Sequence, residues 1–213
     1  MPTWPFRLTV RCDFMTRIIE NTVIDKARAC TLCADFLTPR PVFVVKPQAK
    51  LLIVGQAPGK KVHETQIPWN DPSGDRLRQW LNISRDTFYH SPDIAILPAG
   101  FCYPGRGKSG DLPPPPICFE TWHHQLKALM PNIELTLLIG MYAQKHYLKQ
   151  QPDKPKTLTE TVKNFAHYLP QGLLPLPHPS PRNTLWLKRN EWFEAKVVPA
   201  LQQQLKAIDC VDR

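Results

Sequence analysis

No apolar run in the chain approaches the roughly 18 residues that a membrane-spanning helix needs, so none is expected to cross a bilayer. The amino terminus, Met1 to Arg11, has charges and prolines but neither an apolar h-region nor a small-residue cleavage site; the expectation is an unprocessed, cytoplasmic protein. A P-loop ending in Lys-Ser or Lys-Thr is missing too, which argues against a nucleotide hydrolase. No internal repeat and no linker divides the sequence, so residues 1–213 are expected to form a single domain with mass enough for a proper core. Acidic residues are in short supply: 18 Asp plus Glu against 27 Lys plus Arg, a formal net charge of +9. That balance favours an anionic partner, nucleic acid first, although a solvated positive face gives the same count.

Proline is plentiful instead. Its 24 copies cluster between periodic segments, which makes the loops stiff rather than disordered. Between them, short apolar runs recur at Leu51–Val54, Ile94–Leu97, Leu135–Ile139 and Leu173–Leu176, each the signature of a strand buried on both faces. Pro41 to Pro47 reads as one more short extended piece, and Met1 to Val10 as irregular or extended. Helical stripes are read at Arg17–Cys30, Asp75–Leu81, Cys118–Met130, Met141–Lys149, Thr159–Leu169 and Asn190–Ala207. Strand and helix alternate. The expected class is α/β, a three-layer α/β/α sandwich around a central, mostly parallel four-stranded sheet.

The chain is organised around Lys50–Gly59 and its continuation to Gly74. The apolar run stops at Gly55, and Gly59 follows with Pro58 between, so this loop delivers backbone rather than side chains to something close by. Helix is resumed near Pro72, with Ser73 a candidate N-cap and Leu77, Trp80 and Leu81 an apolar stripe. A loop of about 18 residues exceeds the ~2–6 usual between such elements, and long ordered loops are mostly functional. In an open parallel sheet, ligands bind outside the carboxyl ends of the strands. Two more loops are expected at that edge. Pro98–Pro116 carries four glycines, Arg106, Lys108 and four consecutive prolines, a weak phosphate signal. Leu176–Asn183 holds His178 and Ser180 among three prolines, with Arg182 at the tip; a histidine fixed in this way points to function more than a lone surface histidine does.

Six cysteines in a chain of this kind argue against disulfides. Cys30 and Cys33 form one pair, and Cys102 and Cys118, with 15 residues between them, a second; Cys12 and Cys210 have no partner spacing. Four thiolates suit an iron–sulfur cluster or tetrahedral zinc, and four buried free thiols are the plainer alternative.

Three separated blocks, Gly55-Gln56-Ala57-Pro58-Gly59, Pro68-Trp69 with Gly74, and His178-Pro179-Ser180, together resemble the uracil-DNA glycosylase superfamily. The nearest pattern is that of its iron–sulfur branch (family 4), whose first motif reads GEAPG followed by PFxGxxG. Cys30, Cys33, Cys102 and Cys118 match the spacing of that branch's cluster ligands, which implies a 4Fe–4S cluster, with structural zinc or no metal as alternatives. The resemblance covers roughly Cys30 to Asn183. Gly55, Ala57, Pro58, Gly59, Pro68 and Gly74 coincide with the pattern, and other positions depart. Gln56 stands where the branch has a Glu, and Ala57 where the classical enzymes with GQDPYH carry the water-activating Asp. Pro98 occupies the place of the Asn that reads uracil's edge, and Gln66 replaces a Gly.

What the resemblance implies is a DNA glycosylase of base excision repair, a monomer acting on DNA that contains uracil or another deaminated base. Trp69 would stack on the flipped base, and His178 would donate to the oxygen on which charge develops. Gln56 would hold a water. Glu64, Asp71 and Asp75 are candidates to take its proton, Asp71 first for its closeness to Trp69, although each suits a capping or surface role as well. Gly55 and Ala57 would line the base pocket, and Ser180 and Arg182 would meet the minor groove. The competing reading is a module of the same fold that binds damaged or single-stranded DNA with little or no turnover, as Ala57 and Pro98 would allow.

Overall fold

The computed structural model describes residues 22–108 and 110–210. The expectations for Met1–Val10, for the start of the Arg17 stripe and for Cys12 fall outside them. A helix α1 covers residues 22–28. In chain order there follow β1 (Leu51–Val54), α2 (Lys60–Thr65), α3 (Pro72–Leu81), α4 (Arg85–His90) and β2 (Ile94–Ile96). A hairpin, β3 (Arg106–Gly107) and β4 (Gly110–Asp111), precedes α5 (His124–Ala128), β5 (Leu135–Ile139) and α6 (Gly140–Tyr147). The rest is α7 (Leu158–Lys163), α8 (Phe165–Tyr168), β6 (Leu173–Leu176), α9 (Thr184–Arg189) and α10 (Val198–Ala207).

Four strands form one parallel sheet in the order β2-β1-β5-β6, with Leu51 facing both Ile94 and Leu135 in register, and Thr136 facing Leu173. Successive side chains of a strand point to opposite faces, and both faces of this sheet are covered. Leu51 and Ile53 pack with Leu77, Trp80, Phe193 and Leu201; Leu52 and Val54 pack with Phe101, Leu126, Leu138 and Ala143. All four side chains of β1 are fully buried, each worth about 1.5–3 kcal/mol of transfer free energy, so this interior strand is firmly anchored in the layer. The Pro41–Pro47 piece is extended as read: Val44 bridges Ile96 antiparallel at the sheet's edge through two 2.8 Å hydrogen bonds.

The α/β/α sandwich thus stands, with corrections to its helices. The long loop after β1 contains α2. Helix α3 begins at Pro72 and its N-cap is Asp71, whose Oδ1 accepts from Gly74 N at 2.8 Å; Ser73 is a buried residue of the first turn. Cys118–Met130 splits into a wide turn, Phe119–His123, and α5, and the final helix likewise opens with a wide turn at Phe193–Val197. The Thr159 stripe breaks at Asn164, and α4 and α9 were not anticipated. At the amino edge of the sheet, Lys50 Nζ donates to Ile208 O at 2.7 Å, docking the end of α10 beside the start of β1.

Candidate active site at the carboxyl edge

The loops that leave β1, β2 and β6 meet, as the parallel order requires, around one cleft of about 490 Å³. Its walls include Gly55, Gln56, Ala57, Trp69, Asp71, Pro98, Asp111, His178, Ser180 and Arg182. His178, Gln56, Asp71, Gly55, Ala57, Trp69, Ser180 and Arg182, all read from the sequence, therefore lie in one place.

Trp69 is held from behind. Its φ of +57° is in the left-handed region that non-glycine residues seldom occupy. Arg78, only 5% exposed, donates to Trp69 O at 3.3 Å, and Tyr89 donates its hydroxyl to Pro68 O at 3.0 Å. Gly74 makes the turn possible, because a Cβ there would sit 1.7 Å from Trp69 O. The indole lies against Gly55, where a Cβ would come within 3.0 Å of Cζ2, and its centroid is 5.8 Å from that of the His178 ring. Gly55 and Gly74 are thus explained by the room Trp69 needs.

His178 ends β6 with its orientation set by local bonds. Ser180 N donates to Nδ1 at 3.2 Å, so the neutral ring carries its proton on Nε2. Asn183 Nδ2 donates to His178 O at 2.8 Å. Burial lowers the pKa of His178, against an opposing pull from the carboxylates of Asp71 and Asp111, so the ring is neutral at pH 7. Ser180 Oγ caps the Pro181–Asn183 turn by accepting from Arg182 N at 3.2 Å, and Arg76 of α3 donates to Ser180 O at 3.1 Å. Arg182 reaches across the mouth: a Cβ on Gly110 would lie 2.9 Å from its Nη1. Gln56 Nε2 donates to Leu112 O at 3.4 Å, so the first motif is tied to the residue just past β4 of the hairpin.

A sequence model of the uracil DNA glycosylase superfamily matches residues 42–202. The chain belongs to that superfamily. Its members are DNA glycosylases. Of the three carboxylates near Trp69, only Asp71 lines the cleft; Asp75 pairs with Arg78, and Glu64 lies outside, 3.9 Å from Lys60. At position 98 the backbone oxygen is taken, since His123 Nε2 lies 2.8 Å from Pro98 O. Sequence reasoning missed Asp111, Arg78 and His123. The first two act across the fold at positions without a spacing signature, while a histidine following the Cys118 turn could have been marked.

The four cysteines also converge. Cys33, Cys102 and Cys118 are buried and Cys30 half-buried, all as free thiols. Burial pushes the Cys118 thiol up to about 11, with the neighbouring charges of Cys102, Cys33 and Cys30 acting in the same direction. Three N–H groups aim at sulfur: Trp122 Nε1 to Cys30 and Arg40 N to Cys102, each at 3.3 Å, and Phe101 N to Cys118 at 3.5 Å. Among the described residues no group of three or more His, Cys, Asp or Glu is set to hold a metal ion. No helix is long and apolar enough to cross a membrane among the described residues either.

Proposed function

We propose that this superfamily member hydrolyses the N-glycosidic bond of uracil or another deaminated base in DNA, as a base-excision glycosylase. The observation that carries the reading is the meeting of a clamped aromatic, a neutral histidine with its proton on Nε2, and a cleft-lining carboxylate in one cavity. A base inside the duplex is out of reach, so the target is extruded and stacks on Trp69. The bond between C1′ and the base nitrogen breaks with both electrons leaving on the base. His178 Nε2–H donates a hydrogen bond to the base oxygen that gains this charge. A water held by Gln56 adds to C1′, and its proton passes to the oxygen of Asp71 that does not cap α3. Ser180 and Arg182 meet the phosphates and the groove. The products are a free base and an abasic site.

Cys30, Cys33, Cys102 and Cys118 suit a 4Fe–4S cluster in chemistry: four sulfurs in one neighbourhood, with three N–H donors that strengthen on a thiolate. The alternatives are a structural zinc on the same four thiols, or no metal. When bound, such a group supplies a cross-link between the α1 end and the Pro98–Cys118 loop.

The deciding experiment is single-turnover cleavage of uracil-, hypoxanthine- and xanthine-containing single- and double-stranded DNA, read after alkali, by wild type and His178→Ala. A donor that acts only in the transition state is worth about 10²–10³ in rate with little change in affinity. Equal rates in the two proteins would remove His178 from catalysis. Ala57 and Pro98 in the cleft favour a second reading, a DNA-binding module, and absence of wild-type cleavage on all three bases would decide for it.

A further inference from the structure

The cleft holds a second carboxylate that the steps above do not use. Asp111 ends β4, and its cross-strand partner in the hairpin is Arg106. It shares the cleft with Asp71 and His178. A Cβ on Gly59 would lie 3.8 Å from Asp111 Oδ2, so the carboxylate stands against the first-motif loop, just past Ala57. Its neighbours in sequence are both tied to functional loops: Gly110 lies beneath the Arg182 guanidinium, and Leu112 O accepts from Gln56 Nε2. The Tyr103 phenol lies near enough to feel this charge: burial first, and then the Asp111 carboxylate, raise its pKa. The hairpin therefore delivers a negative charge to the one loop whose motif lacks its own.

We propose, resting on the glycosylase reading, that Asp111 stabilises the cationic sugar formed as the base departs. When the C1′–N bond breaks, the electron pair leaves with the base, and C1′ and the ring oxygen share a positive charge. Asp111 neither gives nor takes a proton; the water oxygen bonds to C1′ and its proton goes to Asp71. A single charge a few ångströms away in a partly wet cleft changes a binding or rate constant by roughly tenfold to a hundredfold.

The test uses the full chain and two uncleavable duplexes, one with a cationic pyrrolidine abasic nucleotide and one with its neutral tetrahydrofuran counterpart. Wild type is expected to prefer the cation by at least about tenfold. Asp111→Asn should reduce that preference about tenfold while binding the neutral duplex as well as wild type or better, since an anion near the phosphates is gone. Tyr103→Phe should keep the preference, which separates the Asp111 charge from the neighbouring phenol. An unchanged preference in Asp111→Asn, or a parallel loss of both duplexes, overturns the assignment. So does a wild-type rate of uracil cleavage by Asp111→Asn. A protein that keeps the Asp111-dependent cation preference yet cleaves nothing would retain the charge placement and overturn the glycosylase reading alone.

Discussion

At the scale of single residues, two positions carry testable physics. Trp69→Ala should weaken binding to DNA with a flipped base by about 1–3 kcal/mol, the range for stacking on an aromatic ring. Unchanged affinity with an intact circular dichroism spectrum would take Trp69 out of the pocket. His123 concerns stability. Burial lowers its pKa to about 4, despite its bond to Pro98 O. The folded state thus refuses a proton that the unfolded chain accepts below its ordinary value near 6.5. Stability is complete above about pH 6.5 and falls as pH drops toward 4, by about 3 kcal/mol at most for this group. Urea titrations at pH 7 and pH 4.5 should show the loss in wild type and much less of it in His123→Gln. Equal slopes would assign the acid sensitivity to other groups.

Single elements explain what was legible in the sequence. All four strands of the parallel sheet could be read because a strand buried on both faces leaves an uninterrupted apolar run. The glycine-ended loops after β1 and the proline-caged His178 after β6 gave most of the site. What escaped had no such signature. Helix α2, Lys-Lys-Val-His-Glu-Thr, buries only Val62, so no apolar period marks it. Asp111 sits in a hairpin whose relation to Gly59 depends on chain contacts some fifty residues apart. The start of α3 was misread by two residues, although Asp71-Pro72 is an N-cap followed by proline at the first helical position. That cap permits a clean separation of roles. Asp71→Ala should cost about 1 kcal/mol of stability, whereas Asp71→Asn, which also caps well, should cost only a few tenths. If Asp71 takes the water's proton, both variants should cleave slowly. An Asn variant that is stable and as fast as wild type would leave Asp71 as a cap only.

For the whole molecule, a cluster on the four thiols, as proposed above, would join the end of α1 to the loop beyond β2. Anaerobically purified protein should be brown, with about four irons per chain, and Cys102→Ser should bleach it and lower the melting temperature. A colourless preparation with one zinc would point to the tetrahedral alternative, and a metal-free one to free thiols.

The docking of Ile208 O on Lys50 has a practical side. A parallel sheet has two unlike ends, and this bond puts the last turn of α10 at the end away from the cleft. Lys206 is exposed there. A fluorophore or a surface tether attached at that residue would therefore hold the molecule by its back, leaving the working edge open to DNA. It gives single-molecule measurements a ready handle.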